Sequence, residues 1–224
     1  MIELAPLWLT LKLALSTTLI LFIIAVPLAN WLTGDKNIFK VIVQAIVSMP
    51  LVLPPTVIGF YLLLAFSPGN AFGKWLEEWF NIRLVFSFSG LLIASVIYSL
   101  PFMVHPIHSG LSSLSPSLKE ASYSLGKTKW QTLMKVLLPN IKPSLLTAIV
   151  LTFAHTVGEF GVVLMIGGNM PGKTRTASIA IYDEVDAYHY YNANVYAGIL
   201  LALSFVILLI LYTFNRKMQQ AKFY

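Results

Sequence analysis

A chain of 224 residues that is 57% apolar and only 11% charged, with a mean hydropathy of +0.77, lies outside the soluble range of near half apolar and about a quarter charged. That composition excludes a chain made of soluble domains alone and calls for a bilayer, where each helical crossing needs about 20 apolar residues. A net charge of +6 would suit nucleic acid, but the basic residues fall between apolar stretches rather than in one patch, so the charge is read as membrane orientation and no nucleic acid is expected.

Residues 7–32 form the first apolar run. It has no basic segment before it, holds Lys12 within it, and exceeds the roughly 7–15-residue core of a signal peptide, so it reads as a retained span. The second run, 38–66, is over-long and carries Pro50, Pro54 and Pro55. Prolines free backbone carbonyls, so a kink or break is expected where protein or a cavity satisfies them. Residues 73–80, with Trp75 and Trp79, look like an amphipathic piece at an interface. The third run is 88–107, with Pro106 marking its end; the fourth is 143–166 and the fifth 195–214. The expectation is a single all-α integral membrane domain over residues 1–224 with five transmembrane helices, without repeats or low-complexity segments. The absence of cysteine removes disulfides, thiolate metal sites and cysteine nucleophiles.

Charge distribution gives a topology. Lys36 and Lys40 against Asp35 follow the first run, and Lys119, Lys127, Lys129, Lys135 and Lys142 against Glu120 alone follow the third. Arg216, Lys217 and Lys222 follow the fifth with no acid. The other side carries Glu3, then Lys74 and Arg83 with Glu77 and Glu78, then Lys173 and Arg175 with Asp183, Glu184 and Asp186. The positive-inside rule then places the N-terminus outside and the C-terminus in the cytoplasm, and all three basic segments agree with an odd number of spans.

The loop 115–143 is the longest segment on the basic side and contains two helix signatures. Ser115 can cap a helix with Pro116 at its first position, while Ser117-Leu118-Lys119-Glu120 also fits a capping box, leaving the start open. Leu118, Ala121 and Leu125 share a face, Gly126 supplies a left-handed stop, and Thr128-Lys129-Trp130-Gln131 begins a second helix that Pro139 ends. By spacing alone, this could be an amphipathic loop resting on anionic lipid through its lysines.

Glu159 is the one acidic residue well inside an apolar run, beside Thr156, Gly158 and Gly161. A charge at membrane depth usually faces a cavity or the bundle interior, so a gate or pathway wall is one reading. A helix end near the surface with a solvated carboxylate is the other. His155 lies one helical turn before Glu159, and His105 and His108 are similarly close, but neither pair has a third ligand and no metal is expected. Gly167-Gly168-Asn169-Met170-Pro171-Gly172-Lys173-Thr174 matches the phosphate-loop pattern letter for letter, yet an apolar membrane run precedes it rather than a soluble strand. Neither nucleotide binding nor a cofactor is expected.

Glu120-Ala121-Ser122, then Gly126, Leu138-Pro139 and Pro143, resemble the EAA loop of ATP-binding-cassette importer permeases, departing from the family pattern at Ser122. That resemblance implies a type I importer permease fold, a non-catalytic subunit, and a coupling helix made of Glu120, Ala121, Ser122, Leu125 and Gly126 that docks in a separate ATPase. Gly158-Glu159-Phe160-Gly161, Met165-Ile166-Gly167-Gly168-Asn169, Pro171-Gly172-Lys173-Thr174 and Ala180-Ile181-Tyr182 are similar to the molybdate permease branch, with sulfate and tungstate permeases as alternatives. The resemblance implies a multi-pass protein of the bacterial inner membrane: a homodimer with two ATPase subunits and a periplasmic molybdate-binding protein, surrounded by membrane lipid. No lysine or arginine lies deep in a span, so a weak oxyanion path of hydroxyls and backbone groups is expected, with Ser48, Thr56 and Thr156 as candidates beside Gly158, Glu159 and Gly161. A membrane enzyme or a passive channel would be the readings from other classes.

Overall fold

The computed structural model describes residues 3–34 and 37–220, with side chains to residue 214. Asp35, Lys36 and Lys222, and the side chains of Arg216 and Lys217, which entered the charge reading, lie outside the described residues.

The chain opens with α1, Ala5–Leu32, whose Thr10 and Thr18 hydroxyls donate to carbonyls one turn back at 2.8 and 2.7 Å. Such bonds let hydroxyls sit in an apolar helix without an unpaired donor. α2, Ile38–Val52, starts at Asn37, whose side chain accepts from the Lys40 amide at 2.9 Å. Pro54 and Pro55 then break the path as expected: α3, Pro55–Phe66, leaves at 113° to α2, while Pro50 is accommodated inside α2. α4, Ala71–Phe80, is the short segment carrying Trp75 and Trp79, both exposed.

α5, Phe88–Ser112, runs through Pro101 and Pro106 without ending. The expected stop at Pro106 is therefore corrected. A proline removes one i→i−4 bond, but here Met103, Val104, Ile107 and Leu111 are all buried against α1 and the later helices, and packing holds the helix together. Next come α6, Pro116–Ser124; α7, Lys129–Thr132; a wider π-helical turn, Leu133–Leu137; and α8, Leu138–Asn140. The helical path turns by 83° into α9, Lys142–Val157. α10, Gly161–Gly167, α11, Ala177–Asp186, and α12, Tyr190–Gln220, complete the chain.

Among the described residues three helices, α1, α5 and the 190–214 portion of α12, are long and apolar enough to cross a membrane, and the count reaches five if each bent pair is one crossing. The continuous helix expected over 143–166 is instead two helices separated at residues 158–160. Among the described residues there is no strand.

α5 packs between α1 and α9, where Leu21, Ala25 and Ala29 meet Met103, Val104, Ile107 and Ala148 in one core. α3 and α10 meet α5 in a second core around Ile58, Ala94, Val162 and Ile166. Large apolar side chains also point outward, such as Ile23 (73% exposed) on α1 and Leu201 (72%) on α12, as expected for helices solvated by lipid. The first turns of α1 and α11 meet at one end, where the Ala177 amide donates to Thr10 Oγ1 at 2.8 Å. The C-terminal turn of α1 and α6 share a cleft at the other.

The crossing of α3 and α10 depends on Gly59, because a Cβ there would lie 2.7 Å from Met165 Cβ and 3.2 Å from Val162 Cα. Gly59→Ala should cost about 1–3 kcal/mol, the usual penalty of overpacking, read as a lower melting temperature of the detergent-purified protein. Unchanged melting would contradict so tight a crossing.

Candidate functional site

The break between α9 and α10 builds the site. α9 stops at Val157, and the Gly158 amide closes its last turn on Ala154 O at 3.2 Å. Gly161, at the head of α10, lies against α3, since a Cβ there would sit 2.9 Å from Pro55 Cβ. Between the two glycines Glu159 turns inward and is 5% exposed. Ser95 Oγ on α5 donates to Glu159 Oε2 at 2.8 Å, and Ser178 Oγ on α11 donates to the Glu159 carbonyl at 2.6 Å. Glu159 Oε1 has no hydrogen-bond partner among the described residues. The carboxyl group is thus buried and bonded to α5, and the Glu159 backbone to α11; it is not solvated at a helix end.

One turn further along α5, Ser99 Oγ lies 3.0 Å from His155 Nδ1 and 3.1 Å from Thr156 Oγ1, and Thr156 Oγ1 donates to Thr152 O at 3.0 Å. His155 stacks on Phe102 with centroids 3.9 Å apart and lies 5.0 Å from the Tyr98 ring. His155 and Glu159 are not on one continuous helix and engage different serines, so the one-turn pairing suggested by their spacing does not form. Among the described residues no group of three His, Asp or Glu could hold a metal.

A cavity of about 600 Å³ opens on this break, lined by Pro55, Thr56, Tyr98, His155, Met165 and the 158–161 backbone among others. It brings together Thr56, Gly158, Glu159 and Gly161, which the sequence singled out separately. Thr156 is buried behind it, and Ser48 does not line it: the Ser48 hydroxyl donates to Gln44 O at 2.8 Å and meets His105 Nε2 at 3.1 Å. Sequence reasoning missed Ser95, Ser99 and Tyr98. Two serines four residues apart in an apolar run were the available signal, because that spacing puts both hydroxyls on one helix face.

The segment resembling a phosphate loop folds on its own threonine. Thr174 is fully buried, donates to Gly167 O at 2.7 Å and accepts from the Met170 amide at 3.2 Å. Gly168 and Gly172 take positive φ of 58° and 71° to allow this closure. Arg175 then forms a 3.1 Å ion pair with Asp183, without the alignment of a hydrogen bond.

At the opposite end, α6 begins with Pro116 in its first turn after Ser115, whose hydroxyl bonds to Ser117 Oγ at 2.7 Å rather than to the backbone. Gly126 has φ 72°, and the Lys127 amide donates to Ser122 O at 3.1 Å, so the left-handed stop is present. Thr128 and Gln131 form both bonds of the capping box, at 3.2 and 3.1 Å. Pro139 does not end this second helix: it occupies the first turn of α8, where no amide donor is needed, and the path continues to Asn140. Ser122, the departure from the family pattern, is the buried residue of α6, and its hydroxyl meets Thr132 Oγ1 at 2.9 Å. Leu118 on α6 and Leu125 at its C-cap are exposed instead, Leu125 at 79%, while Tyr123 lines the cleft shared with α1.

The profile of the binding-protein-dependent transport system inner membrane component family matches residues 22–220. Over 215 residues the chain is 44% identical to the molybdenum transport system permease protein ModB of Azotobacter vinelandii, covering 96% of this chain and 95% of that one. It is 34% identical over 176 residues to the sulfate transport system permease protein CysT of Escherichia coli, covering 79% and 62% respectively. Among solved structures, the fold is similar to a bacterial ABC transporter involved in import of the acidic polysaccharide alginate, with TM-score 0.79, 18% identity and coverage of 96% and 79%. It is also similar to the MetNI methionine ABC transporter, with TM-score 0.71, 20% identity and coverage of 95% and 94%.

Ser95 is the side-chain partner that Glu159 has in this buried site. Ser95→Ala should therefore destabilise the purified chain by about 1–3 kcal/mol, the cost of a buried polar group left without its partner, with Ser95→Thr closer to wild type. Equal melting of Ser95→Ala and wild type would remove the contact from the account.

Proposed function

The chain belongs to the binding-protein-dependent transport system inner membrane component family, and from that premise we propose that it is the membrane-spanning permease of an ATP-driven molybdate importer. The observation that carries the proposal is α6: a short helix pinned to its neighbour through Ser122 and Thr132 while Leu118 and the C-cap Leu125 are exposed. A helix with that much apolar surface in water is a docking element, and a separate ATPase is its partner. Molybdate is favoured over sulfate by 44% identity across nearly the whole of both chains, against 34% across part of the longer sulfate relative. Tungstate, close to molybdate in shape and charge, is the alternative cargo.

Orientation follows from charge. The end carrying α6 holds Lys119, Lys127, Lys129 and Lys135 against Glu120, which supports a cytoplasmic position, with the N-terminus on the other side. Five crossings, with α2–α3 as one of them, are few to enclose a path. A two-fold homodimer with two ATPases below and one binding protein outside is the economical assembly.

Force would travel a short way. Closure of the ATPases moves α6; the Ser122–Thr132 contact passes the displacement to α7, the π-helical turn and α8, and α9 carries it to the break at residues 158–160. Packed helices respond by shifting between discrete arrangements, so the cavity wall opens or closes with the nucleotide state. No lysine or arginine lines that cavity among the described residues, so a dianion is held weakly by Thr56, Tyr98 and backbone groups and released readily. Glu159 would repel a dianion as a carboxylate; tied to Ser95 and Ser178, it positions the wall and does not bind cargo. Selectivity then belongs to the binding protein.

Proteoliposomes containing the chain, its ATPase and the binding protein should accumulate molybdate only with internal ATP, with tungstate competing better than sulfate. Gly126→Pro forces φ from 72° to about −65° and removes the amide bonded to Tyr123 O. That variant should insert and assemble, hydrolyse ATP, and lose uptake. Wild-type uptake would sink the coupling role.

A further inference from the structure

At the end of the bundle that carries α6, a cleft of about 1060 Å³ opens between the last turn of α1, the start of α2, the end of α5 and α6. It shares no lining residue with the cavity at the α9–α10 break. Its volume slightly exceeds the usual range of small-molecule sites, about 300–1,000 Å³. Among the described residues, Lys40 and Lys119 face one carboxylate, Glu120, with His108, Gln44 and Tyr123 as polar wall, so the balance there favours an anion.

The surroundings distinguish which anion. Lys40 Nζ lies 5.3 Å from the Trp31 ring centroid, and Trp31 meets Phe39 edge-on at 5.9 Å. Both rings are exposed, at 40% and 60%. An exposed Trp–Phe pair beside a lysine is the pattern of a membrane–water interface. From the cleft, α2 leads away with Val41, Ile42 and Ile46 exposed at 54%, 50% and 58%. A free oxyanion gains nothing from that apolar rail, whereas an acyl chain does.

We propose that this cleft holds the headgroup of an anionic phospholipid, its phosphate engaging Lys40 and Lys119 and its acyl chains lying along the exposed face of α2. The proposal rests on the reading that this end of the bundle meets the lipid headgroups. Because the cleft is walled by both α6 and the bundle, an occupied site ties the docking helix to α1, α2 and α5, and the lipid composition of the membrane then bears on how stiffly α6 is held.

The test is native mass spectrometry of the full-length chain in detergent, titrated with phosphatidylglycerol and with phosphatidylethanolamine of matched acyl chains. Wild type should retain phosphatidylglycerol roughly tenfold better, in keeping with two lysines near one headgroup. The Lys40→Gln, Lys119→Gln double variant should bring that preference within about twofold, by the same reasoning. The charge-preserving Lys40→Arg, Lys119→Arg variant should keep it, as should Lys74→Gln near the opposite end, where Lys74 pairs with Glu78 on the surface. Unchanged preference in the Gln double variant would overturn the proposal. So would displacement of the lipid by millimolar inorganic phosphate or molybdate, which would assign the cleft to a free oxyanion. Retained ATP-driven molybdate uptake with no lipid preference would remove this site alone and leave the transport reading intact.

Discussion

A helix that breaks at membrane depth must find new partners for the polar groups it frees, and the break after Val157 organises what surrounds it. Water is absent from the bilayer core, and an unpaired backbone group there costs several kcal/mol. The Glu159 carbonyl is therefore met by Ser178 from α11, the carboxyl by Ser95 from α5, and the hydroxyls of Ser99 and Thr156 by each other and by Thr152 O. These bonds link α5, α9 and α11 to the break, and the cavity that opens on it is lined from α3, α5, α9 and α10. The second break, at Pro54, solves the same problem differently, since Pro54 and Pro55 have no amide donors to satisfy. The two breaks converge, with Pro55 lying against Gly161.

This arrangement gives α9 two distinct ends. One joins the helical path from α6 through an 83° turn; the other ends at the polar break. Between them α9 packs on α1 and α5 through a tight seam: a Cβ on Gly110 would fall 2.5 Å from Ser144 Oγ. A rod gripped in this way transmits displacement more readily than it bends, which is what a transporter driven from one end requires. In the segment resembling a phosphate loop, the threonine hydroxyl closes its own turn, donating to Gly167 O and accepting from the Met170 amide.

Local chemistry was legible in the sequence and long-range chemistry was not. The Pro54–Pro55 break, the Gly126 stop and the Thr128–Gln131 box each depend on residues within a few positions of one another, and each formed. Pro106 and Pro139 were misread because a proline signal is local while its outcome depends on packing and on where a new turn begins. The cavity was half legible. Thr56, Gly158, Glu159 and Gly161, singled out separately, do meet there, but the break itself was read as one continuous helix over residues 143–166. Ser95 lies 64 positions from Glu159, and no spacing rule reaches that far. Ser48 was singled out for its hydroxyl alone, which the structure spends on Gln44 and His105. Ser122, where the sequence departs from the family pattern, is buried and bonds Thr132, a contact that no capping or spacing signal marked.

The central claim is that α6 receives a separate ATPase, and the chain's lack of cysteine allows a direct measurement. In the assembled complex, Leu125→Cys, at the exposed position that caps the C-terminus of α6, should form a disulfide or short-linker crosslink with a single cysteine in the ATPase groove, with a yield that changes on ATP binding. The same cysteine should resist a membrane-impermeant thiol reagent applied outside intact cells. Labelling from outside, or assembly of an active complex with no crosslink anywhere in that groove, would contradict the account.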